Sequence, residues 1–256
     1  MRQEYMKRLL PIASVSLFLI GWSLYVRSGE VSPFVLPGPE SIVVALWNML
    51  FDPRFWHHTL VTVIEGVSGF LIAVFLGISI GFAMARVPPM EWAAKPFIVL
   101  LQLIPKIALA PLFILWFGFG LESKIVIAAA LAFFPVFSNA LVAFKSVEHG
   151  DRDVFTMLQA NPLQRLLMLD FPSALPVILT GTEVAVVLAM IGAIVGEFIG
   201  GNEGLGYLAV AHLQNLAVPE LFAVIVALAL VGLLLYTFIG RLRAWFTPWH
   251  VSNARR

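Results

Sequence analysis

The chain has 256 residues, of which 60% are hydrophobic and only 12% are charged. An ordinary soluble domain is about 45–50% apolar and about 25% charged, so this composition argues against a soluble protein and indicates a membrane protein. The net charge is +1 and no basic stripe with interleaved aromatic residues occurs, which argues against nucleic-acid binding. The chain has no cysteine, which excludes disulfide bonds and thiolate metal sites.

The hydrophobic runs predict an all-α, polytopic membrane protein with six transmembrane helices, because a spanning helix needs about 20 mostly apolar residues. A basic start precedes the first run, but no small-residue cleavage site follows it, so we expect a retained helix rather than a signal peptide. Residues 39–51 begin with Pro-Glu and predict a short interfacial helix. The six predicted spans cover residues 8–26, 58–85, 94–117, 124–144, 173–199 and 219–240.

The distribution of Lys and Arg predicts that both termini face the cytoplasm. Twelve basic residues then lie inside: Arg2, Lys7, Arg8, Arg86, Lys95, Lys145, Arg152, Arg165, Arg241, Arg243, Arg255 and Arg256. Only Arg27, Arg54 and Lys124 lie outside, and Lys106 falls within a span. The polar, amphipathic segment 145–172 between the fourth and fifth spans is therefore predicted to face the cytoplasm. No second domain is indicated, and we expect residues 1–256 to form a single transmembrane domain.

Motifs for enzymatic chemistry have no support in the sequence. The P-loop pattern G-x-x-x-x-G-K-[ST] does not occur, and neither do H-E-x-x-H or G-x-G-x-x-G. The letters of G-x-S-x-G occur at residues 77–81, but inside a predicted transmembrane span and not at the strand-to-helix turn that this motif requires. His57 and His58 are adjacent at a predicted outer boundary, but no carboxylate or third histidine is placed to complete a metal site. We therefore predict no catalytic residue and no metal, and an intramembrane enzyme has no motif in its favour.

Four ionisable residues lie inside or near the predicted spans: Glu65, Lys106, Glu183 and Glu197. A charge at bilayer depth costs at least about 2.5–3.5 kcal/mol, so it usually faces protein or water and marks a pathway. Glu183, Met190 and Glu197 are seven residues apart and share one helix face, which places the two carboxylates about 20 Å apart. These residues and Lys106 are predicted to line a translocation path. The alternative is a structural ion pair, for instance Lys106 with Glu65 or Glu183.

Small residues recur one turn apart in two of the predicted spans. Gly192, Gly196 and Gly200 form a GxxxGxxxG run in the fifth span, and Gly77 and Gly81 repeat the spacing in the second. Such spacing lets another helix backbone approach closely. For Gly77 and Gly81 packing within the chain is favoured; for the fifth span a dimer interface and packing within the chain are equally open.

Prolines interrupt two of the hydrophobic runs. Pro105 and Pro111 lie in the third run and Pro135 lies in the fourth. Each removes a helix hydrogen bond, which a membrane tolerates where protein or a water-filled cavity satisfies the freed groups. Broken helices near intramembrane charges are typical of transporters.

The segment before the fifth span resembles the cytoplasmic "EAA" loop of ABC importer permeases, whose pattern is Glu-Ala-Ala, three residues, Gly, nine residues, Ile, one residue and Leu-Pro. Phe171-Pro172 falls at Leu-Pro, Leu169 at Ile, Gln159 at Gly, and Asp153-Val154-Phe155 at Glu-Ala-Ala. Other short stretches resemble sequences of the nitrate/sulfonate/taurine subgroup of these permeases. They occur in the same order as in that subgroup and are spread over nearly the whole chain. They include Leu36-Pro37-Gly38-Pro39, Trp116-Phe117-Gly118-Phe119-Gly120, Gly196-Glu197, Gly204-Leu205-Gly206-Tyr207 and Thr247-Pro248-Trp249-His250.

The resemblance implies a type I permease in the bacterial inner membrane, with a coupling helix at about residues 150–168 that docks on a cytoplasmic ABC ATPase dimer. It also implies a second permease subunit, expected to be identical, and an external substrate-binding protein. ATP and Mg²⁺ would bind the ATPase, with no cofactor on this chain. The implied docking residues are Arg152, Asp153, Phe155, Leu158, Gln159, Leu163, Arg165, Leu166 and Leu167.

Departures from the family pattern bear on the turn and on the cargo. Gln159 replaces a glycine that permits a tight turn, and residues 160–162 could supply the turn instead. Glu65 and Glu183 stand where anion-carrying relatives often have Arg, so unpaired carboxylates there would repel an anion. The sequence therefore favours a neutral or cationic cargo, such as a pyrimidine or vitamin precursor. An anionic cargo (sulfonate, taurine or nitrate) and a stand-alone proton-coupled transporter remain alternatives.

Overall fold

The computed structural model describes residues 2–249, and within that range the chain is almost wholly helical. His250, Arg255 and Arg256, which entered the family resemblance and the charge count, lie outside the described residues. The helices are α1 Arg2–Arg27, α2 Pro39–Met49, α3 Pro53–Arg86, α4 Pro88–Leu103, α5 Ala110–Phe117, α6 Leu121–Lys145, α7 His149–Met157, α8 Pro162–Arg165, α9 Phe171–Gly200, α10 Leu205–Gln214 and α11 Val218–Phe246. A 3₁₀ turn, Lys106–Leu109, precedes α5, and a π-helical turn, Leu166–Asp170, joins α8 to α9.

Four helices of the described chain are long and apolar enough to cross a membrane, and they confirm the polytopic membrane architecture. These are α3, α6, the run from α8 through α9, and α11. A fifth span is obtained if α4 and the helical segment after its break are counted as one bent span. The apolar part of α1, Ile12–Arg27, is shorter than the length required of a span. The predicted number of six spans stays a prediction.

Helix caps explain why α3 begins before its predicted span. Hydropathy alone starts that span at residue 58, but the helix begins at Pro53. The Asp52 side chain accepts a hydrogen bond from the Arg54 N–H, and Pro53 occupies the first turn, where its missing N–H costs nothing. The cap therefore adds more than one polar turn to the apolar run.

The third predicted span is not one continuous helix. The helical segments on either side of Ile104 and Pro105 are bent by 85° relative to each other. Ile104 and Pro105 both have extended backbone conformations, as expected where proline excludes the α conformation from the residue before it. Pro111 lies in the first turn of α5, and α6 runs unbroken through Pro135, so neither of these prolines breaks a helix.

The core is organised around α6, which lies between α3 and α9. The buried faces of these three helices are rich in alanine and glycine, which allow close approach of the backbones. Ala128 and Ala132 of α6 pack with Ala73 of α3 and Ala189 of α9 in one cluster. A rigid three-helix unit therefore carries the polar residues described below.

Candidate functional site

The connection between α6 and α9 contains the segment that the family pattern predicts to dock an ATPase. It consists of α7, a turn at residues 158–161, the short helix α8 and the π-helical turn. The run from Pro162 to Gly200 has 39 residues, which at 1.5 Å per residue is about 58 Å long, far more than the roughly 30 Å hydrocarbon core. Part of this run therefore extends beyond the hydrocarbon core, and the polar residues of α7 and α8 indicate that it is the beginning.

Gln159 forms the turn that ends α7, with a positive φ of 50°. Its N–H donates to the Thr156 carbonyl at 3.0 Å, and the Ala160 N–H donates to the Phe155 carbonyl at 3.0 Å. This pair of bonds defines a Schellman motif, which usually places glycine at the position that Gln159 occupies. The turn is thus where the family places it; Asn161 caps the next helix through a capping box with Gln164.

Replacing Gln159 by glycine should stabilise this turn. The left-handed conformation costs a residue with a Cβ about 1–2 kcal/mol, and glycine removes most of that cost. We expect slower amide hydrogen exchange in the α7–α8 turn for Gln159→Gly. The matched variant Gln102→Gly, in the last turn of α4, replaces a glutamine with helical backbone and should destabilise its helix, by at most about 1 kcal/mol. Faster exchange at the turn in Gln159→Gly would contradict this account.

The predicted docking residues divide into two groups by exposure. Asp153, Leu158, Gln159, Leu163 and Leu167 are exposed, whereas Arg152, Phe155, Arg165 and Leu166 are half-buried against the rest of the protein. Leu158 is 71% exposed, Leu163 63% and Leu167 59%, and the neighbouring Met157 and Met168 are more exposed than Leu163. Large apolar side chains grouped outside the bilayer are typical of a protein–protein contact.

Two arginine contacts hold this connection to the helix bundle. Arg86, at the end of α3, forms an ion pair with the fully buried Asp170 at the end of the π-helical turn. Arg152 of α7 donates to the Phe144 carbonyl of α6 at 3.1 Å. The sequence reasoning missed Asp170, although an acidic residue directly before an apolar span is a signal for such a partner.

Glu65, Lys124 and Glu197 come together inside the bundle near the other end. Glu65 is fully buried, and Lys124 and Glu197 are 3% and 1% exposed. Lys124 Nζ lies 3.5 Å from Glu65 Oε1, and Glu197 also interacts electrostatically with both residues. Gly196 makes room for the lysine, since a Cβ there would lie 2.9 Å from Lys124 Cγ. Lys124, predicted as an outer surface charge, is instead the cation of a buried cluster.

Glu197 also holds the loop between α9 and α10 against α3. Its Oε1 accepts from the Thr62 hydroxyl at 2.6 Å, and its Oε2 accepts from the Gly206 N–H at 2.5 Å. Thr62 Oγ1 in turn accepts from the Leu205 N–H at 2.8 Å. Gly204 has a φ of 99° and no room for a Cβ beside the Glu197 carboxylate. The Gly-Glu and Gly-Leu-Gly-Tyr stretches thus form one structural unit.

The predicted ion pairs of Lys106 with Glu65 or Glu183 are wrong. Glu65 pairs with Lys124, and Glu183 Oε1 lies 3.1 Å from Arg243 Nε of α11. Helix periodicity places residues on a face but does not define how separate helices are aligned, so the partners could not be chosen from the sequence. The expected repulsion of an anionic cargo required unpaired carboxylates at Glu65 and Glu183. Because each of them is paired with a cation, that argument against an anion no longer applies.

Met190 and Lys106 have different surroundings from each other. Met190, on the same face as Glu183 and Glu197, is buried against Gly66 of α3 rather than at an open surface. Lys106 is half-buried after the break at Pro105, and its Nζ lies 4.4 Å from the centre of the Phe134 ring. None of the ion pairs formed by the described residues involves Lys106.

The glycine runs are used for packing within the chain. A Cβ on Gly192 would lie 2.6 Å from the Ala128 Cα of α6, and one on Gly200 would lie 2.9 Å from the Phe119 ring. Gly77 and Gly81 face Val136 and Ala140 of α6 in the same way. Backbone contact between helices therefore explains this spacing in both α3 and α9.

Known proteins resemble the chain over nearly its whole length. It is 35% identical to the formylaminopyrimidine transport permease of Halalkalibacterium halodurans, over 97% of this chain and 98% of that protein. It is also 35% identical to the riboflavin transport system permease of Chloroflexus aurantiacus, over 95% of this chain and 90% of that one. The taurine transport system permease of Escherichia coli is 29% identical, over 94% of this chain and 90% of that protein.

A solved structure and a family model agree with these relatives. An inward-facing structure of the methionine ABC transporter MetNI superposes with a TM-score of 0.59 at 18% identity, covering 83% of this chain and 99% of that one, which establishes a shared fold. Residues 69–250 match the model described as the binding-protein-dependent transport system inner membrane component. The chain therefore belongs to this family, the permease subunits of ABC importers.

Proposed function

We propose that this chain forms, with a second copy of itself, the translocation path of an ATP-driven importer in the bacterial inner membrane, and that the cargo is a small neutral heteroaromatic metabolite. The observation that carries the proposal is the group of exposed leucines on the α6–α9 connection, in a family of permeases and on a chain without a nucleotide-binding motif. A transport cycle driven by ATP then requires a second protein to hydrolyse it.

The proposed ATPase contact uses the exposed side of α7, α8 and the turn between them. Leu158, Leu163 and Leu167 supply apolar area, and Asp153 supplies an exposed charge beside it. ATP and Mg²⁺ bind the ATPase in this scheme. The excess of Lys and Arg supports a cytoplasmic position for both termini and for this contact, and in this scheme an external binding protein delivers cargo to the opposite end.

A second permease subunit has an apolar surface available to it. Helix α4 is long and mostly apolar, yet none of its residues is buried within the described chain. In a membrane such a face contacts either lipid or another subunit. We assign it to the second copy, with membrane lipid covering the remaining apolar surface.

Two observations support a neutral heteroaromatic cargo. The permeases named for formylaminopyrimidine and riboflavin are each 35% identical to this chain, above the taurine permease at 29%. Glu65 and Glu183 both have cation partners, whereas Lys106, after the break in the third span, forms no ion pair with any described residue, which disfavours a cationic cargo. An anion such as taurine is the competing cargo.

Transport assays with the purified complex test this proposal. The chain is co-expressed with its ATPase, reconstituted into liposomes with the loaded binding protein, and supplied with ATP inside. Uptake of formylaminopyrimidine or riboflavin, but not of taurine, is expected, and it should stop when ATP is omitted. Uptake of taurine and of neither other compound would contradict the proposed neutral heteroaromatic cargo. ATP-independent uptake by this chain alone would contradict the importer and favour a proton-coupled transporter.

A further inference from the structure

A cavity of about 460 Å³ lies between α3, the broken third span and α6. Its lining is almost entirely carbon, with Ile72 and Leu76 of α3 opposite Phe113 of α5 and Phe133 and Phe134 of α6. Among the described residues that line it, Lys106 is the one with a charge. A volume of 300–1,000 Å³ is typical of sites for small organic ligands.

The position of Lys106 is the first reason to regard this cavity as a binding site. The residue directly follows the break in the run from Pro88 to Phe117, with apolar helical segments on both sides of it. An intramembrane cation is costly and is normally paired or exposed to a pathway. Within the described part of the chain its Nζ contacts only an aromatic ring face. Its donor capacity is therefore available to a ligand.

The break in the third span lies beside the same cavity. Pro105 has no N–H and ends the helical ladder there, and Leu101 and Ile104, on the α4 side of the break, both line the cavity. An apolar space thus has one strong donor, Lys106, at its edge, and a single placed polar group can orient a ligand that is otherwise bound by apolar contacts.

The aromatic residues indicate the shape of the ligand. The rings of Phe133 and Phe134 are 5.2 Å apart and nearly perpendicular, at 82°. Phe133 also stacks on Phe137, at 5.5 Å and 11°, so the lining carries a cluster of aromatic rings beside Lys106. Flat aromatic molecules pack favourably against ring faces and edges. A small aliphatic anion would leave most of this carbon surface unmatched and would be buried with a single cation.

We propose that this cavity is a cargo-binding site of the permease, in which a neutral heteroaromatic ring packs on Phe133 and Phe134 while a ring carbonyl or nitrogen accepts a hydrogen bond from Lys106. This assignment rests on the proposed function and adds to it the residues that contact the cargo. The competing occupant is a lipid acyl chain, which needs no hydrogen bond from the lysine.

Uptake by the reconstituted complex, with formylaminopyrimidine and riboflavin as probes, tests the assignment. Lys106→Met should lower the initial uptake rate about tenfold or more, because a charged hydrogen bond to the cargo is lost. Lys106→Arg keeps a cationic donor and should retain most of the rate, and Phe134→Leu should lower it. Arg241→Met removes an exposed cation of α11 that does not line the cavity, and it should transport as the unchanged protein does.

Cysteine protection distinguishes the possible failures. The chain has no cysteine, so Ala130→Cys introduces a single thiol into the lining, and the probes should slow its modification by a maleimide. Normal uptake by Lys106→Met, or unprotected modification of the cysteine in a complex that transports the probes, overturns the assignment and leaves the importer intact. A complex that hydrolyses ATP but takes up neither probe overturns the cargo class and this site with it. If the Lys106→Met complex does not assemble, protection of the cysteine in Ala130→Cys decides whether the cavity binds the probes.

Discussion

Leu163→Asp should abolish co-purification of the permease with its ATPase while leaving the permease folded. Leu163 is 63% exposed on α8, so the substitution creates no cavity and breaks no contact of the core. In the complex it would remove about 1.5–3 kcal/mol of apolar burial and would also bury a carboxylate without a partner. We expect the amount of ATPase recovered with the tagged permease to fall at least tenfold.

The matched control is Leu213→Asp, on α10 at the opposite end of the bundle. Leu213 is 55% exposed, so the change in chemistry and in exposure is nearly the same. Leu213→Asp should recover as much ATPase as the unchanged permease does. Both variants should unfold at the same thermal midpoint as the unchanged permease. Equal loss of the ATPase in the two variants, or normal recovery with Leu163→Asp, would show that the α6–α9 connection is not the docking surface.

Lys124→Met should cause a large loss of stability. It removes the cation from a buried site that contains Glu65 and Glu197, and those two carboxylates would then face each other without compensation. Breaking a buried ion pair from one side costs about 3–5 kcal/mol. We expect a loss of that size in the free energy of unfolding, measured by denaturant titration in detergent.

The double variant Lys124→Met, Glu65→Gln separates charge from packing. With one carboxylate neutralised along with the lysine, most of the lost stability should return, because the large penalty arises from the unpaired charge. Arg241→Met, which removes an exposed cation on α11, should change stability by no more than about 0.5 kcal/mol. If the double variant were as unstable as Lys124→Met, the lysine would be acting through its packing and not through its charge.

Hydropathy predicted the helices of this chain well because it depends on local composition. The predicted span 124–144 corresponds to α6, Leu121–Lys145, and 219–240 corresponds to α11, Val218–Phe246. The boundaries shifted where caps extend a helix past its apolar residues, as Asp52 and Pro53 do for α3. The 85° bend at Pro105 was foreseen as a break, but its angle depends on packing against α3 and α6.

Contacts between helices were much less predictable than the helices themselves. Lys124 was placed at the outer surface and Lys106 among the glutamates, and the structure assigns the pairing with Glu65 to Lys124. Gln159 gives a second example: its side chain argued against a glycine-like turn, yet the backbone bonds of the Schellman motif impose that turn on it. The Lys124–Glu65 pair joins residues of two helices whose relative position the sequence does not define, whereas the turn at Gln159 follows from local backbone bonds that outweigh the preference of its side chain.

Site-specific cross-linking tests most directly whether this chain is the ATPase-coupled permease. Because the chain lacks cysteine, Leu158→Cys, at a position that is 71% exposed on the turn after α7, can be labelled selectively with a photoactivatable maleimide in the assembled complex. We predict a covalent product with the ATPase, identified by mass spectrometry, and none from Leu213→Cys. A cross-link to the ATPase from position 213 and none from position 158 would contradict the account.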